Sequence, residues 1–241
     1  SLINNCQISN MKIAVLADIH GNHYALNEVL KEAQRNGVDY LLVLGDIVGY
    51  YYHPDKVLEL LSAWPFHLIK GNHEEILFSL INDSSLLNEI VTKYGNGHKI
   101  AIQKLSPDDI EMLQKLPQQK ELKFNDVSIL MTHGSPWQNN LYVYPDATKE
   151  VLEKFNKYEF DFILFGHTHY SSCFKTQYGL ALNPGSVGQS RERGGTASWI
   201  IVNTKNKSVQ FKITNYDTLK LKTEIIKYDP FNKYNLSILD R

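Results

Sequence analysis

The chain has 241 residues, 43% of them hydrophobic, enough for one large domain with a substantial core. Its 25 basic side chains stand against 26 acidic ones for a formal net charge of -1, which excludes the broad basic field behind general nucleic-acid affinity. No stretch reaches the roughly 18 apolar residues of a membrane span, and the polar start "SLINNCQISN" lacks a secretory leader's basic and apolar regions, so no membrane partner and a cytoplasmic setting are expected. The two cysteines, Cys6 and Cys173, have no zinc-finger or CxxC spacing and read as free thiols, Cys173 as a small buried residue.

In chain order, "KIAVLADIH" is a short continuous apolar run. "HYALNEVLKEAQRN" follows with apolar side chains at helical spacing and Gly37 just past its end, so a strand leads into a helix. The unit recurs as strand "DYLLVLGD", helix "PDKVLELLSAW" and strand "FHLIKGNH". A longer helical region runs from about Glu74 to Leu116, broken at "YGNG" and restarted at "SPDD". After Pro117, "KELKF" and "VSILMTHG" joined by Asn125 and Asp126 read as a hairpin; helix "ATKEVLEKFNKY" and strand "DFILFGHTH" come next. The remainder turns to β in "SSCFKT", "LALN", "ASWIIVN" and "VQFKITNY", the last alternating Val209, Phe211 and Ile213 with Gln210, Lys212 and Thr214. From about Thr218 the tail receives no assignment. The alternating βαβ order predicts a largely parallel sheet of simple doubly wound type.

Five strand-like runs end alike: "LADIH" with Asp18 and His20, "LGDIVGY" with Asp46, "KGNHEE" with Asn72 and His73, "MTHG" with His133, and "FGHTH" with His167 and His169. In parallel α/β sheets the carboxyl ends of strands share one edge, where ligands bind. Two carboxylates, one amide oxygen and four imidazoles (His20, His133, His167, His169) form a mixed oxygen and nitrogen ligand set. Seven ligands are too many for one tetrahedral zinc and suit two metal ions sharing a bridging carboxylate. In extended backbone, residues two apart point to the same side, so Asp18 with His20 and His167 with His169 would each face one cavity. Glycines 45, 71, 134 and 166 permit close backbone approach beside these ligands.

Other signals fail on inspection. "HEEIL" has Leu77 where a zinc-protease helix needs its second histidine. "PGSVG" has Pro184 in place of the first glycine of a nucleophile elbow. No P-loop and no GxGxxG is present. His23, His53, His67 and His98 fall outside the pattern and read as surface or packing residues, and the tyrosines of "GYYYH" as packing over a helix start.

The order D-x-H, G-D-x-x-G, G-N-H-E, H-G, G-H-x-H resembles the calcineurin-like metallophosphoesterase superfamily, over most of the chain from Lys12 to about Asn203. "NPGSVGQSRERGGTASW" looks like the matching segment of its small bacterial and archaeal phosphodiesterases. The resemblance implies an α/β fold in which a β-sandwich is flanked by helices, four layers in αββα order. The domain would span residues 11–216, with a cap-like helical insertion at about 75–116 and an unassigned tail at 217–241. It implies that Asp18, His20, Asp46 and His169 hold one divalent metal, and that Asp46, Asn72, His133 and His167 hold the other, with Asp46 bridging. Manganese or iron would come first, zinc or magnesium being alternatives. His73 would be the catalytic, non-ligand histidine, and a metal-bridging hydroxide would attack phosphorus in line. Asn72, His73 and Arg191 would contact the substrate, Arg193 less surely. That substrate would be a small phosphorylated molecule, a nucleotide or a dinucleoside polyphosphate leading. "GDIVGYY" departs from the G-D-x-V-D-R-G of phosphoprotein phosphatases at Gly49 and Tyr50, which disfavours that activity. A scaffold that has lost chemistry, as in the superfamily's retromer subunit, is the alternative of another class.

Overall fold

The apolar runs become strands covered on both faces, which is why they read as continuous rather than alternating. The computed structural model describes residues 11–241; Cys6 and the polar start lie outside the described residues. The elements run β1 (Lys12–Leu16), α1 (His23–Arg35), β2 (Tyr40–Val43), α2 (Pro54–Ser62), β3 (Phe66–Leu68), α3 (Asn72–Asn82), α4 (Leu87–Tyr94), α5 (Gly97–Lys104) and α6 (Pro107–Gln114). They continue with β4 (Gln119–Phe124), β5 (Val127–Thr132), α7 (Lys149–Glu153), β6 (Phe162–Leu164), β7 (Ser171–Lys175), β8 (Leu180–Pro184), β9 (Thr196–Asn203), β10 (Ser208–Asn215), α8 (Leu219–Tyr228) and α9 (Lys233–Ser237).

Two five-stranded mixed sheets form, ordered β10-β9-β1-β2-β3 and β4-β5-β6-β8-β7. The simple doubly wound sheet predicted from the element order is therefore corrected. β1, β2 and β3 are parallel, but the β4–β5 hairpin opens a second sheet in which β5, β6 and β8 are parallel. Ile13, Val15, Leu42 and Leu44 face Ile129, Met131, Phe162 and Leu164 between the sheets. The intervening Ala14, Leu16, Leu41 and Val43 face helices. On the outer face of the second sheet, Leu130, Ile163 and Phe165 pack with Phe155. The result is four layers, helices outside and two sheets within.

Local signals explain the helix ends. Ser106 and Asp109 form a reciprocal cap at the start of α6, and Pro54 opens α2 where its missing N–H costs nothing. Gly95 adopts φ +83° where α4 stops at the "YGNG" break. The tail without assignment forms α8 and α9. The apolar side of β10 is largely uncovered, Phe211 and Ile213 being exposed, because β10 is an edge strand. Cys173, expected to be buried, is exposed on β7, itself an edge strand. Among the described residues, no helix is long and apolar enough to cross a membrane.

Candidate metal centre

All seven predicted ligands come together where the parallel strands of both sheets end. The backbone that delivers them is not extended, contrary to the expectation for the D-x-H and H-x-H pairs. Asp18 (φ 53°), His20 (51°), Asp46 (55°), His167 (71°) and His169 (62°) are all in the left-handed region, beyond strands that stop at Leu16, Val43 and Leu164. Such backbone is costly for residues with side chains and is held only where the surroundings fix it. Each pair faces one cavity because alternate residues of a tight turn are left-handed.

Hydrogen bonds then aim the rings. His20 Nδ1 donates to Val48 O at 2.9 Å, His133 Nδ1 to Leu44 O at 2.7 Å, and His169 Nδ1 to Gln189 O at 2.8 Å. A carbonyl only accepts, so these bonds set which ring nitrogen points inward. The Nε2 atoms of His20 and His169 are then both acceptors, yet they face each other at 3.1 Å. Two lone pairs at that separation repel unless they share a cation. Asp18 Oδ1, buried and without a hydrogen-bond partner, lies 3.6 Å from His169 Nε2 and 3.9 Å from His20 Nε2. The three donors fit a divalent cation.

A second group adjoins the first. His133 Nε2 lies 3.2 Å from Asp46 Oδ2, 3.2 Å from His167 Nδ1 and 2.9 Å from Asn72 Oδ1. Asp46, His133 and His167 are close enough to share an ion. So are His20, Asp46 and His73, which makes proximity alone insufficient to separate ligand from non-ligand at His73.

Burial dominates the electrostatics. It raises Asp18 to about 7, with Asp46 adding to it against the pull of His133. It lowers His20 and His167 to about 4, and holds His73 and His169 well below the ordinary histidine value. His133 is the exception: burial opposes its charge, but the carboxylates of Asp46 and Asp18 outweigh it and raise it to about 10. The same contact pulls Asp46 well below the carboxylate range in spite of burial.

Several supporting residues escaped the sequence reading. Glu74, fully buried, accepts from the N–H groups of Asp46, Ile47 and Gly71, each at 2.8 Å, and so clamps the loop after β2 to the start of α3. Its signal was a glutamate three residues after Gly71, the spacing of a helix N-terminal cap. An ideal Cβ on Gly71 would lie 2.1 Å from Asp46 Oδ1, so only glycine fits there. Asn183 donates to Gly166 O and Thr168 Oγ1, bracing the H-x-H turn. His98, read as surface or packing, is fully buried against His73. His53 is also buried, but joins Glu224 and Lys104 instead.

Arg191 is half-buried and close enough to feel Tyr234, Tyr50, Tyr142 and Asp18, whereas Arg193 is exposed. Tyr50 stands edge-on to His20 at 4.8 Å, and Tyr142 stacks on His167 at 3.8 Å. Tyr51 and Tyr52 are buried as packing residues. A separate groove of about 800 Å3, bordered by His23, Tyr24, Lys56, Glu59, Tyr216 and Lys220 among others, mixes both charges and holds none of the candidate ligands.

A family model of the calcineurin-like phosphoesterase superfamily domain matches residues 11–207. Protein MJ0912 of Methanocaldococcus jannaschii is 29% identical over 233 residues, 89% of this chain and 92% of its own. The crystal structure of protein PH1004 from Pyrococcus horikoshii superposes with a TM-score of 0.79 at 25% identity, over 95% of this chain and 97% of that one. A metallophosphoesterase from Sphaerobacter thermophilus gives a TM-score of 0.77 at 23% identity over 95% and 99%, a likeness of fold.

Proposed function

Since the chain belongs to the calcineurin-like phosphoesterase superfamily, we propose that it hydrolyses phosphoesters, phosphodiesters first, in a small phosphorylated molecule such as a nucleotide or dinucleoside polyphosphate. The observation that carries this reading is the position of Asp46 Oδ2, 3.2 Å from His133 Nε2 and 3.9 Å from His20 Nε2, so that one carboxylate oxygen faces both donor groups. Asp18, His20, Asp46 and His169 would hold one divalent ion; Asp46, Asn72, His133 and His167 would hold the other. Manganese or iron leads the candidates, since mixed nitrogen and oxygen ligands accept several cations. Such ions supply positive charge to phosphoryl oxygens and make water a stronger nucleophile at neutral pH.

The remaining steps fall to the chain itself. In hydrolysis a water oxygen bonds to phosphorus while the bond to the leaving oxygen breaks; that oxygen keeps the electron pair and ends with a proton. His73, neutral at its lowered value, hydrogen-bonds through Nε2–H to the charge growing on the leaving oxygen, and the proton that oxygen finally carries is one the attacking water gives up. The Arg191 guanidinium matches the phosphoryl oxygens of the bound ester. Tyr50 and Tyr94, 5.0 and 4.8 Å from the His73 ring, screen it from water. A cytoplasmic setting suits the free thiol of Cys173.

The alternatives have less support. In a scaffold the donor set would have no reason to be complete, and every position is filled. A phosphoprotein phosphatase would carry an aspartate at residue 49, where an ideal Cβ would lie 2.2 Å from His73 Nδ1. The chain loaded with manganese is expected to hydrolyse bis-p-nitrophenyl phosphate, and to lose that activity with a chelator. Absence of turnover on any monoester or diester with bound manganese, iron, zinc or magnesium rejects the proposal.

A further inference from the structure

His73 contributes only one ring nitrogen to the chemistry proposed above, and something must fix which one. Its Nδ1 lies 3.2 Å from His98 Nε2, and the two rings are nearly parallel, 12° apart, with centroids 5.0 Å apart. Both rings are sealed: His73 is 4% exposed and His98 0%. The Nδ1 side of His73 is free to receive His98 because residue 49 has no side chain; a Cβ there would collide with Nδ1 itself. His98 is brought there by close packing at the start of α5, where a Cβ on Gly97 would lie 2.7 Å from the backbone of Tyr50.

We propose that His98 is a positioning residue for His73, donating its Nε2–H to His73 Nδ1 and so holding His73 as the tautomer whose Nε2–H points to the leaving oxygen. The direction of the bond follows from the other side of His98. Its Nδ1 is buried without a hydrogen-bond partner, and a buried N–H without an acceptor is rarer than a buried acceptor without a donor. The His73 carbonyl also faces the His98 ring but completes no hydrogen bond to Nδ1, so we assign the proton of His98 to Nε2. A charged carboxylate in this place would accept instead of donate, and would favour the opposite tautomer of a neutral His73. Nothing in the sequence pattern pointed to this role, because residue 98 lies in the helical segment far from the five strand ends.

The proposal rests on His73 acting at the leaving oxygen, so the experiment separates the two. Two variants are compared: His98→Phe, which keeps the ring without the hydrogen bond, and His98→Gln, which restores an amide donor. Each is assayed with manganese on a phosphodiester whose leaving group is p-nitrophenolate, which needs little help, and on one whose leaving group is an alkoxide, which needs much. His98→Phe is expected to lower kcat on the alkoxide substrate roughly tenfold or more, a share of the ~100-fold or greater effect of one preorganised hydrogen-bond donor. It is expected to leave p-nitrophenolate turnover and KM nearly unchanged, and His98→Gln to recover most of the loss. Nitrogen-15 spectra of the metal-free protein are expected to show His73 protonated on Nε2 in the wild type and mixed between tautomers in His98→Phe. Equal loss on both substrates, or an unchanged His73 spectrum in His98→Phe, overturns the positioning role while the phosphoesterase stands. If His73→Ala shows no leaving-group dependence, His73 does not act at the leaving oxygen and the proposal falls with it.

Discussion

At the residue scale the centre turns on Asp46, whose carboxylate reaches both donor groups. Its Oδ1 accepts from His73 N–H at 2.8 Å and its Oδ2 faces His133 and His20. Asp46→Asn keeps the shape and removes the charge, so both cations should weaken together, each by more than about tenfold given that even outer-shell changes cost 10- to 100-fold. Metal content after dialysis tests this; loss of one equivalent with the other retained contradicts a shared carboxylate. His133 supplies a pH signature. Its value of about 10 lies above the ordinary 6.5, so its proton stabilises the metal-free protein fully below 6.5, and that contribution is lost as pH rises toward 10. A cation must displace this proton. Between pH 8 and 9, where Asp18 at about 7 is already largely ionised, binding should therefore release about one proton at this site, and apparent affinity should rise about tenfold per pH unit. Calorimetric titrations in two buffers of different ionisation heat measure the release, and none detected would mean that His133 is already neutral. The candidate ligands were legible in the sequence because each follows a strand-like run, five of the seven beside a glycine. His98 and Glu74 were not, because their roles come from helices whose arrival at the site no spacing encodes.

At the element scale, helices α3 to α6 occupy the stretch that the sequence marked as helical, and the junction from β3 into α3 carries Asn72 and His73. What fixes that junction against β2 is Glu74, whose carboxylate has three backbone donors at 2.8 Å and is raised to about 7, first by burial and then by Asp46. Glu74→Gln would turn an amide NH2 toward N–H groups that need an acceptor. Leaving one such donor unsatisfied costs about 1–3 kcal/mol, so a fall in unfolding free energy of that size is expected by denaturant titration, with weaker metal retention. A variant as stable as the wild type that binds metal equally would show that the loop after β2 holds itself. The strands themselves were readable from apolar runs and turn residues. Their division into two sheets was not, since Val15 and Leu42 would be equally apolar beneath a helix or a second sheet.

At the scale of the whole molecule, the segment after β10 returns to the site from beyond residue 207, where the family match ends. Asp229, 5% exposed, accepts from Tyr52 Oη at 2.6 Å and from Asn96 N and Nδ2 at 2.8 and 2.9 Å. Asn235 Nδ2 donates to Tyr94 O at 3.3 Å. At the far end of the chain, Arg241 O accepts from Gly194 N–H, and Arg241 Nη1 donates to Arg191 O at 3.4 Å. The tail thus grips two stretches: the break between α4 and α5, one residue before Gly97, and the loop bearing Arg191. Asp229→Ala leaves the Tyr52 hydroxyl and the Asn96 amide without their acceptor, a loss of about 2–6 kcal/mol at 1–3 kcal/mol for each of the two groups. The candidate metal ligands touch neither residue, so cation affinity should hold. Because Asn96 and Gly97 set the start of α5, His98 should loosen, and turnover should fall more for alkoxide than for p-nitrophenolate leaving groups. If Asp229→Ala loses stability but slows both substrates alike, the tail supports the fold without reaching His73. An unequal loss would mean that the last residues of the chain help aim a hydrogen-bond donor placed by its first three strands.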